Sequence, residues 1–145
     1  MMTKYIIALS LLVGWLFVAD TTAMLAQTTP SAAKQVDTPA SIQASIIKEI
    51  GAEEKTVEVA TSGNVLIVAR VNSNMNASTH AGRDNEAKVI GSLVAKRIAN
   101  VPKFKKVVTI RVEYLVRSAP TAKREVVDSI EFRKGQDGVF DFHQT

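Results

Sequence analysis

The chain has 145 residues, 18 Lys and Arg against 14 Asp and Glu, two histidines and no cysteine, for a net charge of +4. The missing cysteine excludes disulfides, thiolate metal sites, cysteine nucleophiles and a thiol-linked lipid anchor. The length suffices for one buried core without disulfides.

Met1 to Lys4 carries one positive charge, and Tyr5 to Ala19 (YIIALSLLVGWLFVA) is an unbroken apolar run. Asp20 to Ala26 (DTTAMLA) then offers Ala23 or Ala26 as a cleavage point. Charged start, apolar middle and small-residue end predict a secretory signal peptide over residues 1–26. An uncleaved anchor is the rival reading. As a helix the apolar run would span only about 22 Å, short of the ~30 Å hydrocarbon core, and no Lys/Arg cluster follows to hold a cytoplasmic flank. No transmembrane anchor is therefore expected after cleavage, and the expected location is periplasmic or extracellular. Removing residues 1–26 takes away one base, Lys4, and one acid, Asp20, so the basic excess is unchanged.

Residues 27–37 are small, polar and without period, which predicts a flexible leader. A single ordered α+β domain is expected over 38–145. Thr38 is placed to cap a helix, with Pro39 at its first position. Ile42, Ile46 and Ile50 repeat every four residues, and Gly51 closes the helix. Two strands follow, Lys55–Ala60 and Val65–Val71, joined by the turn residues Thr61 to Asn64. The second strand is apolar on both faces and belongs at the centre of a sheet. Asn72–Thr79 reads as a polar loop, and its Asn76-Ala77-Ser78 sequon carries little weight because such triplets arise often by chance.

A second helix is predicted over His80–Ala99, with Ala87, Ile90, Leu93, Val94 and Ile98 as its apolar stripe. Asn100 and Pro102 end it. Val107–Arg117 alternates, with Val108, Ile110, Val112, Tyr114 and Val116 on one face and Thr109, Arg111, Glu113 and Arg117 on the other. Arg124–Arg133 returns, placing Val126, Ile130 and Phe132 on the core face. Matching the apolar faces pairs Ile110 with Ile130, Val108 with Phe132 and Tyr114 with Val126. Asp137-Gly138 signals a hairpin into a last strand, Val139–His143. The expected fold is a two-layer α+β domain of order α-β-β-α-β-β-β, a mostly antiparallel sheet of about five strands with two helices on one face.

Four features bear on chemistry. Between Lys96 and Arg124 stand nine bases (Lys96, Arg97, Lys103, Lys105, Lys106, Arg111, Arg117, Lys123 and Arg124) against one acid, Glu113. The expected register sets Arg111 opposite Ser129 near Glu131 and Glu113, and Arg117 and Lys123 near Glu125, so these charges compensate on a wet face. That leaves the corner Lys96, Arg97, Lys103, Lys105 and Lys106 as five cations with no acid among them. Only Phe104 interrupts it, so a base-stacking surface is absent and nucleic acid is not an expected partner. An anionic envelope component or a protein partner is.

Asp128 falls by alternation on an apolar face opposite Val112. It must be hydrogen-bonded, paired with a base such as Arg97, or shifted in pKa as an acid or base in a cleft. His80 and His143 lack metal-ligand spacing, and there is neither a Gly-x-Ser-x-Gly elbow nor a phosphate loop. Cofactor and metal sites are thus not expected. Phe132, Phe140 and Phe142 cluster in the final strands, either as core or as a partner surface on an edge.

Three functional readings follow. The leading one is an exported, non-catalytic binding or accessory domain of the cell envelope or exterior, docking on an acidic partner through the basic corner. The second is an envelope enzyme with Asp128 in a cleft. The third is an oligomer-forming structural protein using its C-terminal edge strand.

Overall fold

The computed structural model describes residues 37–143. Residues 1–26, where a signal peptide is expected, and almost all of the expected leader lie outside them, as do residues 144–145. The elements run α1 (Pro39–Ile50), β1 (Val57–Ser62), β2 (Val65–Val71), α2 (His80–Ile98), β3 (Thr109–Val116), β4 (Glu125–Lys134) and β5 (Phe140–His143). Among the described residues no helix is long and apolar enough to cross a membrane.

Local chemistry sets the ends of α1. The backbone N–H of Ser41 donates to Thr38 Oγ1 at 3.2 Å, and that of Thr38 donates to Ser41 Oγ at 2.8 Å. This reciprocal pair satisfies backbone donors that a helix start otherwise leaves free. Gly51 closes the helix at φ 62°, a left-handed conformation that suits a residue without Cβ. In α2, Thr79 Oγ1 accepts from Gly82 N–H at 3.1 Å.

The strands lie in chain order, β1-β2-β3-β4-β5. Neighbours are antiparallel except β2 and β3, which are parallel because α2 carries the chain back across the sheet. Both helices cover one face. Ile42 and Ile46 of α1, Ala87, Ile90, Val94 and Ile98 of α2, and Val57, Leu66, Val68, Ile110, Val112, Tyr114, Ile130 and Phe132 of the sheet form one core. The expected stripes of both helices are thus the buried ones, although Leu93 and Ile50 are only half-buried.

The pairing of β3 with β4 differs from the expected register by two residues. Ile110 faces Phe132, Val112 faces Ile130 and Tyr114 faces Asp128. Apolar matching tolerates either alignment, because a two-residue slip keeps every side chain on its face. The discriminating feature is a bulge. Tyr114 pairs with Asp128 but Leu115 with Val126, leaving Val127 extra. Past the bulge the faces of β4 exchange, so Val126 is exposed instead of joining the core; it pairs there with Leu115, which alternation along β3 turns to the opposite face and which is buried beside Ala69 and Val71. Val108 and Val116, at the ends of the alternating run, are also exposed, whereas Val107 is buried.

Candidate functional site

The basic corner is built by the end of α2 and the segment that follows it. Lys96 and Arg97 occupy the last turn of α2. Pro102–Phe104 forms a 3-10 turn whose Phe104 is buried, and burying that ring turns Lys103, Lys105 and Lys106 out to solvent. Among the described residues Lys96, Lys103, Lys105 and Lys106 have no salt-bridge partner. Arg97 is different, since its Nη1 lies 3.3 Å from Asp37 Oδ1. The acid-free set is therefore four lysines, with Arg97 tied to the start of α1 through an acid distant in sequence.

A cleft of about 830 Å³ opens beside this corner, lined by the end of α2, the segment after it and the turn between β4 and β5. Ile98, Val101, Phe104, Val107 and Phe140 give it an apolar floor, and Lys96, Lys105 and Lys134 contribute the charge. No Asp or Glu lines it. The Lys134 ammonium lies 5.8 Å from the centre of the Phe140 ring, where the ring's negative face attracts a cation.

The remaining bases of the sequence-rich stretch are compensated. Arg111 faces Glu131, not Ser129, with Nη2 2.7 Å from Glu131 Oε1 and Nη1 3.7 Å from Glu113 Oε1. Hydrogen bonds from Arg111 hold the Glu131 carboxyl below its ordinary pKa. Arg117 pairs with Glu58 of β1 instead of Glu125, and Arg124 reaches the same carboxylate at 3.4 Å.

Asp128 lies opposite Tyr114, two residues from its expected station. Its partners are Arg83 and His80, not Arg97: Asp128 Oδ2 lies 2.7 Å from Arg83 Nε and 2.7 Å from His80 Nδ1, and Ser129 N–H donates to Oδ1 at 2.9 Å. Burial works against the ionised carboxyl, but these bonds outweigh it, so its pKa falls below the ordinary value. The hydrogen bond from His80 to Asp128, with the charges of Asp128 and Asp84 behind it, raises the imidazole pKa. Asp128 is thus held ionised by a guanidinium and an imidazole, the opposite of a proton-donating acid. Asp84 Oδ1, buried and without a hydrogen-bond partner, lies 3.6 Å from His80 Nε2. Among the described residues no group of three or more His, Asp or Glu is placed to hold a metal ion.

The sequence reading passed over Arg70, a cation on the core face of β2. Only 3% of it is exposed. Its Nε donates to Glu86 Oε1 at 2.8 Å and its Nη1 to Thr56 Oγ1 at 2.9 Å. The signal was present: a charge at core parity inside VLIVARV must find a buried acid, and Glu86 sits on the helix that covers that strand. Arg70 and Glu86 line a second cleft, about 920 Å³, with Asn72 and Arg117 at the carboxyl ends of the parallel pair β2 and β3. Its arginines are neutralised by Glu86 and Glu58. The lysine-rimmed cleft keeps its charge uncompensated. Comparison of the chain with protein-family models, with curated proteins and with solved structures gives no match.

Proposed function

We propose that the chain is an exported, non-catalytic binding domain that docks on an anionic component of the cell envelope through the corner Lys96, Lys103, Lys105 and Lys106. The observation that carries this reading is the charge accounting. Arg97, Arg111, Arg117, Arg124 and Arg133 all pair with acids, while these four lysines stand exposed beside an apolar cleft without an acid. Uncompensated surface cations of one sign raise the local concentration of anionic partners and are screened by salt. Export rests on residues 1–26, whose three-part pattern is that of a signal peptide.

The geometry at Asp128 gives an enzymatic reading less support, because its carboxylate is already engaged by Arg83 and His80. An edge-strand oligomer has less support too. The β5 edge is four residues long and carries Asp141, two devices that discourage strand pairing.

The test is the combined substitution K103E/K105E/K106E, followed by co-sedimentation with isolated envelopes. Docking through the corner predicts a large loss of bound protein with an unchanged melting curve. Envelope association that survives the three substitutions would refute it.

A further inference from the structure

The cleft beside the corner has two properties that the four lysines alone do not explain. Its floor is apolar and its volume, about 830 Å³, lies in the range of about 300–1,000 Å³ typical of small-molecule sites. A surface that met only an anionic polymer would need charge and no floor. Half-buried Phe140 and Val101, and exposed Val139, leave apolar area beside lysine ammonium groups drawn from three separate elements: Lys96 on α2, Lys105 after the 3-10 turn and Lys134 at the end of β4. Long lysine stems cover apolar surface while their heads stay wet, which places the charges at the mouth and the hydrocarbon below.

We infer that this cleft binds a single-chain anionic amphiphile, its acyl chain on the accessible surface of Val101, Val139 and Phe140, which lies over the buried Ile98, Phe104 and Val107, and its phosphate or carboxylate head among Lys96, Lys105 and Lys134. The inference rests on the docking reading above and deepens it by naming a ligand class for the same corner. Charge complementarity selects the occupant. A neutral amphiphile would leave three ammonium groups without a counter-charge, and a bare anion would leave the floor in water. Burying each methylene of a chain adds binding free energy that a small anion lacks.

The experiment titrates the protein produced from the full chain with dodecyl phosphate, inorganic phosphate and dodecyl maltoside, the amphiphiles below their micellar concentrations. Dodecyl phosphate should bind at least about tenfold more tightly than either of the others. The substitution V139D puts an anion in the cleft at a residue that is already 54% exposed, so the fold should persist. It should weaken dodecyl phosphate about tenfold or more and leave salt-sensitive binding to anionic vesicles largely in place through Lys103 and Lys106. The double substitution K105A/K134A should lower the preference for dodecyl phosphate over dodecyl maltoside. Equal binding of inorganic phosphate and dodecyl phosphate would overturn the inference, as would equal binding of the two amphiphiles. Salt-sensitive vesicle binding without any dodecyl phosphate binding would refute the cleft and spare the docking reading. Loss of both would refute both. Dimerisation that V139D abolishes would make the cleft an interface between copies instead.

Discussion

Gly91 of α2 sits directly over the ring of Phe132 on β4: a Cβ at position 91 would lie 2.7 Å from Phe132 Cε2. The helix approaches the sheet this closely only because residue 91 has no side chain, and Phe132 is itself 4% exposed and packed in the core. G91A should therefore destabilise the fold. Alanine gains about 1 kcal/mol in helix propensity, but overpacking of a filled core costs about 1–3 kcal/mol. The net loss should be measurable by urea unfolding, and F132L in the same chain should recover part of it, because the two sites share one contact.

Arg70 and Glu86 form the buried ion pair under the edge of α2. Removing one partner strands the other, which for buried pairs costs about 3–5 kcal/mol. R70M should approach that range, since only 4% of the Arg70 side chain is exposed and 14% of that of Glu86. The double substitution R70M/E86L should be much less harmful than the sum of the single ones. Additive losses would mean that the two side chains contribute independently.

Stability should carry the imprint of His80 and Asp128 in opposite directions of pH. The His80 pKa is raised in the folded state. Its contribution is therefore complete below the unfolded value of about 6.5 and lost as pH rises through the higher folded value. The Asp128 pKa is lowered, so its contribution holds above the unfolded value of about 3.9 and disappears as pH falls through the folded one. Melting curves of H80Q against the parent should differ more at pH 6 than at pH 9. A difference that is constant with pH would mean that the imidazole acts only as a neutral hydrogen-bond donor.

Asn72 holds the ends of the parallel strands together. It adopts φ 48°, its Nδ2 donates to Arg117 C=O at 2.7 Å, and its Oδ1 accepts from Arg117 N–H at 2.8 Å. Asparagine tolerates the left-handed region better than most residues, and glycine adopts it freely. N72G loses the two hydrogen bonds alone, whereas N72A loses them and adds backbone strain. Unfolding experiments should rank N72A below N72G by about 1 kcal/mol.

Most elements were legible because their signals are local. Thr38, Pro39 and Gly51 mark the ends of α1, and spacings of three and four mark the buried stripe of α2. The β3–β4 register was not legible. A two-residue slip keeps the apolar faces matched, and the bulge at Val127 has no signature in a run as uniformly apolar as Val126-Val127. Leu115 shows the same limit: its burial depends on Ala69 and Val71, far away in sequence. For the basic corner, composition identified the lysines but not the pairing of Arg97 with Asp37, 60 residues apart. The apolar cleft was beyond reach, because Phe140 of β5 and Val139 just before it join a floor otherwise made by α2 and the segment after it.

The most direct test of corner docking is co-sedimentation of the protein with anionic and zwitterionic vesicles across a salt series. Exposed charges interact over about 10 Å at 0.1 M salt and over about 30 Å at 0.01 M. The account predicts binding to anionic vesicles that falls steeply between these concentrations, and little binding to zwitterionic ones at either. Binding that ignores both lipid charge and salt would contradict it.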